Sequence, residues 1–239
     1  MASREEEKRL RREERQAAEA AARASQNRAK RTQFLLGALL TIAVVVGAVV
    51  LVTGSGKNSG AKPITPTASN AADKIPAASE RDLTKAAKAA GCVLLNPPLE
   101  GSSHVTTPVK YKSNPPTSGN HNPIPALDGI YNPGKEPTVE HLVHALEHGR
   151  IDFQYAPGTS AKLIGQLETL VSEPLNAKAG YKALLFRNDT KMPYAVAATA
   201  WGHLIGCKSA DNPAIFDALR DFRVKYVDKG PEPGIPPTN

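Results

Sequence analysis

Basic residues interleaved with aromatics, the usual mark of a nucleic-acid surface, are missing from this chain. Aromatics make up 5% of its 239 residues, and Trp201 is the one tryptophan. The formal net charge of +7 does not replace that mark. Residues 1–33 carry ten Lys or Arg against six Glu, whereas residues 53–239 carry 20 basic against 17 acidic residues. DNA and RNA are therefore excluded as partners. Also missing is any G-x-S-x-G elbow around Thr117 or Ser118, so their Pro-rich surroundings read as turn chemistry rather than as a nucleophile site. No A-x-A cleavage site follows the apolar N-terminal run, and no internal repeat is visible.

What is present begins with that run. Phe34 to Val52 is 19 residues without a charge, long enough to cross a hydrocarbon core of ~30 Å as a helix rising ~1.5 Å per residue. Arg28, Lys30 and Arg31 abut it. By the positive-inside rule residues 1–33 stay in the cytoplasm, and a positive segment there suits an anionic inner leaflet. The expectation is a single-pass protein of the cell membrane, residues 34–52 being the transmembrane helix and the C-terminal part standing outside. Residues 53–78, rich in Gly, Ser, Thr, Pro and Ala, form a flexible linker that would span roughly 25–30 Å as a coil. Residues 79–239 form the extracytoplasmic domain.

Cysteine is confined to Cys92 and Cys207, both in that outer part. An even count in an oxidising compartment favours a disulfide, which would remove roughly 4–5 kcal/mol of unfolded-state entropy in the chain-entropy model. The rival reading makes one of them a metal thiolate or a redox nucleophile.

Within 79–239 the pattern predicts a small compact α+β domain with elements in the order βαβαββα. Ser79 caps a first helix that Gly91 ends. His104–Lys112 is β-rich, and irregular chain with several prolines runs on to Pro137. A helix closed by Gly149 follows, then a strand with Ile151, Phe153 and Tyr155 pointing inward. The next helix carries Leu163, Ile164, Leu167, Leu170 and Val171 on one stripe. Strands at 182–187 and 194–200 precede a last helix that starts at Asp211 and packs Ile215, Phe216, Leu219, Phe222 and Tyr226. The Gly/Pro tail is extended. Asn188-Asp189-Thr190 fits a glycosylation sequon.

Histidine is where the pattern turns chemical. Five of the six histidines lie between His104 and His148. On a helix turning about 100° per residue, Val139, Leu142, Val143 and Leu146 make one stripe, and His141, His144, Ala145 and His148 make the opposite one. The first stripe explains docking on a core; nothing in folding explains histidine on the second. His144 and His148, spaced i,i+4, can reach one ion, and His121, His104 and Glu147 are the residues that would complete it. Such donors suit Zn²⁺ or Cu²⁺ and not Ca²⁺ or Mg²⁺, which want oxygen. His144-Ala145-Leu146-Glu147-His148 also fits H-x-x-E-H, in which Glu147 would activate a metal-bound water and Glu168 would be the carboxylate ligand. The bland alternative is a polar helix face whose histidines hydrogen-bond the backbone.

Several motifs here resemble a bacterial family known only as a domain of unknown function. They are Gly91-Cys92, Gly101-x-x-His104-Val105, Tyr111-x-x-x-Pro115-Pro116-Thr117-Ser118-Gly119-x-His121, His144-x-Leu146-Glu147-His148-Gly149 and Gly230-Pro231-Glu232-Pro233. The likeness spans roughly residues 85–235. It implies a domain often anchored by one N-terminal helix, and it groups His104, His121, His144, Glu147 and His148 as one constellation, with His141 private to this chain. It supplies no activity. Two functions compete: a transition-metal domain built on those residues, and a metal-free envelope module whose His face contacts a protein partner.

Overall fold

A six-stranded mixed sheet carries the fold, in the order β1-β8-β7-β3-β6-β2. It is seen in a computed structural model that describes residues 62–65 and 73–238. The expected cytoplasmic segment, the transmembrane helix at 34–52 and most of the linker lie outside the described residues. Among the described residues no helix is long and apolar enough to cross a membrane. The elements in chain order are α1 (Leu83–Ala90), β1 (Cys92–Leu95), β2 (Gly129–Ile130), α2 (Val139–Glu147), β3 (Ile151–Tyr155) and α3 (Ala161–Ser172). Then come a small hairpin, β4 (Pro174–Leu175) with β5 (Lys178–Ala179), and β6 (Ala183–Arg187), β7 (Val196–Ala200), β8 (His203–Cys207) and α4 (Ile215–Tyr226). The α+β class is as expected, with more strands than the pattern showed.

β3 is central and buried on both faces. It pairs parallel with β6, with α3 as the crossover, and antiparallel with β7. Ile151, Phe153 and Tyr155 point into the larger core, where Ala183, Leu185, Val196, Ala198 and Ile205 meet side chains of α1, α3 and α4. The opposite face packs Leu184 and Phe186 against Leu142 and Ala145 of α2 and against Ala126 and Tyr131. Strict alternation therefore describes only one face of β3. Asp152 and Gln154 point to the other face and are equally buried.

α1 begins three residues later than expected, because Asp82 caps it by accepting from the N–H groups of Thr84 and Lys85. Ser79 is engaged elsewhere, its hydroxyl donating to Asp217 at 2.6 Å. Gly91, at φ 70°, ends the helix as expected. The 104–112 stretch is not a strand. Its one ladder contact is a parallel bridge between His104 and His121. Its backbone groups are taken by side chains instead, Val109 N–H donating to Glu140 Oε1 and Lys112 N–H to Glu100 Oε2. β1 and β8, which periodicity missed, pair antiparallel with Cys92 opposite Cys207. Their sulfurs are bonded, which overturns the thiolate and redox readings.

The last helix begins at Ile215 rather than Asp211. Beyond it the tail folds back. The buried Lys182 donates to Asp228 and to the Pro233 carbonyl, and the buried Arg150 donates to the Pro236 carbonyl and to Asp128. Gly149 sits where this chain return is tightest: its φ is 75°, and a Cβ there would stand 2.7 Å from Asp228 Cα.

Candidate metal centre

Two elements bring histidines together. α2 presents His144, Glu147 and His148 on its flank away from the Leu142–Ala145 contact with the sheet. The loop from Glu100 to Asn122 presents His104 and His121. That loop is held by its own polar groups: Gly119 N–H donates to the Gly101 carbonyl, His121 N–H to the Ser103 carbonyl and Val105 N–H to the His121 carbonyl. Tyr111 Oη donates to the Asn120 carbonyl, and the Tyr111 ring occupies the space a Cβ on Gly119 would need. Ser118 is fully buried with its hydroxyl accepting from Glu100 N–H. It holds the loop and is not placed as a nucleophile.

The ligand atoms of His104, His121, His144 and Glu147 all lie within 4.8 Å of one another. Glu147 Oε2 is central, 3.0 Å from His121 Nε2, 3.8 Å from His104 Nε2 and 3.9 Å from His144 Nε2. Two ligands about 2.1 Å from one tetrahedral ion stand ~3.4 Å apart, so these separations bracket what a zinc-sized ion requires. His121, His144 and Glu147 are buried, and the His104 side chain is half exposed.

The other ring nitrogens carry the second half of the argument. His121 Nδ1 faces the Gly119 carbonyl at 2.8 Å, and His144 Nδ1 faces the Asn122 carbonyl at 2.6 Å. A carbonyl only accepts, so each Nδ1 bears a proton; His144 Nε2 is left with a lone pair, and His121 Nε2, which donates to Glu147 at 3.0 Å, would offer one to an ion that displaces its proton. Metal-binding histidines are commonly held this way, the outer N–H fixing tautomer and ring orientation.

Electrostatics agrees. Burial, opposed by the Asn122 carbonyl and reinforced by the neighbouring imidazoles, pushes His144 down to about 3, so it stays neutral and can ligate. Burial alone would raise Glu147, but the His121 hydrogen bond and the surrounding imidazoles outweigh it and hold the carboxylate ionised. Burial would lower His121, yet Glu147 and the Gly119 carbonyl outweigh it and raise the ring above its ordinary value. One ionised carboxylate, the neutral His144 imidazole and a His121 ring whose proton an ion would displace form a donor set suited to a borderline transition ion.

The remaining candidates fall outside this group. His148 turns Nδ1 to the Glu232 carbonyl of the tail at 3.2 Å, its ring centroid 4.6 Å from that of His144. His141 binds the Ile124 carbonyl through Nδ1, and His203 binds Asn96 and stacks on Tyr226. Glu168 lies on α3, on the far side of the sheet, and does not enter the group. Trp201 meets the His121 ring edge-on at 6.0 Å between centroids, closing that side of the site. Within the H-x-x-E-H run, Glu147 Oε2 and His144 Nε2 belong to the converging group, while His148 turns Nδ1 to the tail. Sequence reasoning missed the carbonyls of Gly119, Asn122 and Glu232, since a backbone acceptor leaves no trace in residue identity.

No curated protein and no solved structure matches the chain. A family described as "Protein of unknown function (DUF3105)" does match, over residues 104–239. Its first matched residue is His104 itself, later than the start near residue 85 that the motifs implied, and the match takes in all four converging residues. With more than half of its length matched, the chain belongs to the DUF3105 family of proteins of unknown function.

Proposed function

We propose that this protein is a membrane-anchored, extracytoplasmic binder of a transition metal, Zn²⁺ or Cu²⁺. His104, His121, His144 and Glu147 are its ligands, and His148 orders the chain around them. The single observation that carries the reading is the inward convergence of the histidine Nε2 atoms on Glu147 Oε2, with the outer Nδ1–H of His121 and of His144 held by a carbonyl. Three imidazoles and one carboxylate make a closed set of four, the arrangement of sites that hold or store an ion rather than sites that keep a position open for water. The half-exposed His104 is the natural edge for entry and release. The anchor rests on the apolar run at 34–52 and its basic flank.

Elemental analysis of the full-length protein, purified without a His tag, tests this. Near-stoichiometric zinc or copper that disappears in His144→Ala supports the reading. A folded protein that is metal-free and takes up neither ion on addition overturns it and leaves the metal-free envelope module as the working description.

A further inference from the structure

A second site lies under the other edge of α2. Here Val139, Leu142 and Val143 face the sheet across a cleft of about 340 Å³, at the lower end of the size range of small-molecule pockets. Its floor is the face of β3 and β6 opposite the main core, with Asp152, Gln154 and Phe186. Most of its polar lining is already satisfied within the protein. Gln154 Nε2 donates to Thr199 Oγ1 at 3.0 Å, Asn188 Nδ2 donates to Gln154 Oε1 at 2.6 Å, and Asn188 Oδ1 accepts from Thr190. Asn188 is thereby buried, which removes it as a glycosylation acceptor. Arg187 is taken by Asp189 through two hydrogen bonds of 2.7 and 2.8 Å. Glu140 accepts from Val109 N–H.

Two oxygens are left. Asp152, 1% exposed, has a buried Oδ1 with no hydrogen-bond partner among the described residues, and so has Glu136 Oε1. The nearest cation to Glu136 is Arg187 Nε at 3.9 Å. A carboxyl buried without a donor is costly, and neither core packing nor the hydrogen-bond chain beside it uses Asp152. Burial, with Asp128 adding to it and Arg150 opposing, pushes the Asp152 carboxyl well above its usual range. Arg150, the cation that acts on Asp152, is already paired with Asp128 at 3.0 Å. What the cleft lacks is a positive hydrogen-bond donor. What it offers around that point is apolar wall: Phe186, Leu142, Val143 and Pro137.

We infer that this cleft binds a small organic cation, a primary alkylammonium, with the ammonium on Asp152 and Glu136 and the short alkyl body against Phe186 and α2. An anion would meet two carboxyls that lack a hydrogen-bond donor, and Arg187, the cation of the lining, is held by Asp189 and Glu136. A bare divalent ion would leave the apolar wall without a role and would find too few oxygen donors. The site shares α2 with the histidine cluster but none of its ligands, so it stands or falls independently of metal binding.

The test is isothermal titration of the full-length protein with n-butylammonium, beside n-butanol and butyrate as neutral and anionic controls of the same length. Saturable binding of the cation, at least tenfold tighter than either control, is expected. Asp152→Asn, which keeps shape but cannot ionise against the ammonium, should weaken it at least tenfold without changing metal content, and Glu136→Gln should weaken it several-fold. Binding of butylammonium no tighter than butanol overturns the proposal, as does undiminished binding in a folded Asp152→Asn variant. Should Asp152→Asn fail to fold, the wild-type comparison and Glu136→Gln, at the partly exposed rim, decide the matter.

Discussion

His121 gives one ring nitrogen to the Gly119 carbonyl at 2.8 Å and holds the other 3.0 Å from Glu147 Oε2. The first contact fixes the proton on Nδ1. The second then allows two comfortable states: an imidazolium paired with a carboxylate, or two lone pairs sharing a cation. A neutral ring against a carboxylate with nothing between them would be repulsive. His144 sharpens the choice, because its depressed pKa keeps a second lone pair at the same point. The cluster is thus polarised toward an ion, and the two halves of the site come from segments that only the folded chain brings together.

That geometry separates the histidines by role. His121→Ala, like His144→Ala, should reduce bound metal to background. His148→Ala should retain it, with affinity reduced by no more than the ~10–100-fold typical of residues that support ligands from outside. Elemental analysis and competition with a chromophoric chelator on the three variants check this. Loss of metal in His148→Ala equal to that in His121→Ala would return His148 to the ligand set and set aside its role as a support.

How much of this was legible in the sequence depends on what kind of group does the work. Helical spacing made His144 readable on one flank of α2, but the stripe drawn with it was partly wrong: Ala145 packs on the sheet beside Leu142, His141 turns to the Ile124 carbonyl, and Glu147, three residues from His144, joins the group instead. The pairing of His104 with His121 was not readable, since 104–112 has β-forming residues but no strand to pair with, and side chains such as Glu140 take its backbone groups. β1 was missed because this edge strand, with Val93, Leu94 and Leu95 all exposed, does not alternate, and β8, which lies between β1 and β7, because Leu204 to Cys207 are all buried. Ser79 and Asp82 are equally good caps, and only Asp217, 138 residues beyond Ser79, decides between them. Arg150 and Lys182 look like surface charges until the tail is folded over them.

That tail leads to a stability prediction. Arg150 is 1% exposed, and its Nε is paired with Asp128 Oδ1 at 3.0 Å; Asp128 Oδ2 in turn accepts from Thr238 N–H. Removing one partner of a buried ion pair leaves the other charged and unpaired, which costs about 3–5 kcal/mol. Asp128→Ala should therefore lower unfolding stability by about that amount and free residues 228–238, seen as faster amide exchange at the tail. An exposed pair of the same kind, Arg187 with Asp189, should give below ~1 kcal/mol in the parallel Asp189→Ala variant. Equal costs in chemical denaturation would show that burial is not what makes the Asp128 pair matter.

Asp217 gives a pH dependence whose sign can be worked out. Burial alone would raise its pKa, but the Ser79 hydroxyl, the N–H groups of Ser79 and Glu80, and Arg220 at 3.2 Å outweigh burial and hold it below the ordinary 3.8. Glu173, which clamps Arg220, and Asp221, whose pKa burial raises, also face this junction, as do Glu80, Arg81 and Asp82. A depressed folded-state pKa means that the unfolded chain binds the proton more readily. The stabilisation is then complete above the unfolded value and is lost as pH falls through the folded one. Asp217→Asn should accordingly cost about 1–2 kcal/mol at pH 7, because it removes the charge that Ser79 and Arg220 bind. The gap to the wild type should close as the pH falls below about 3.8. Urea denaturation at pH 7, 5 and 3 measures it, and Ser79→Ala should reproduce part of the loss. A gap that stays constant down to pH 3 would mean that Asp217 acts by shape, with its charge contributing nothing to the junction between α4 and the chain entering α1.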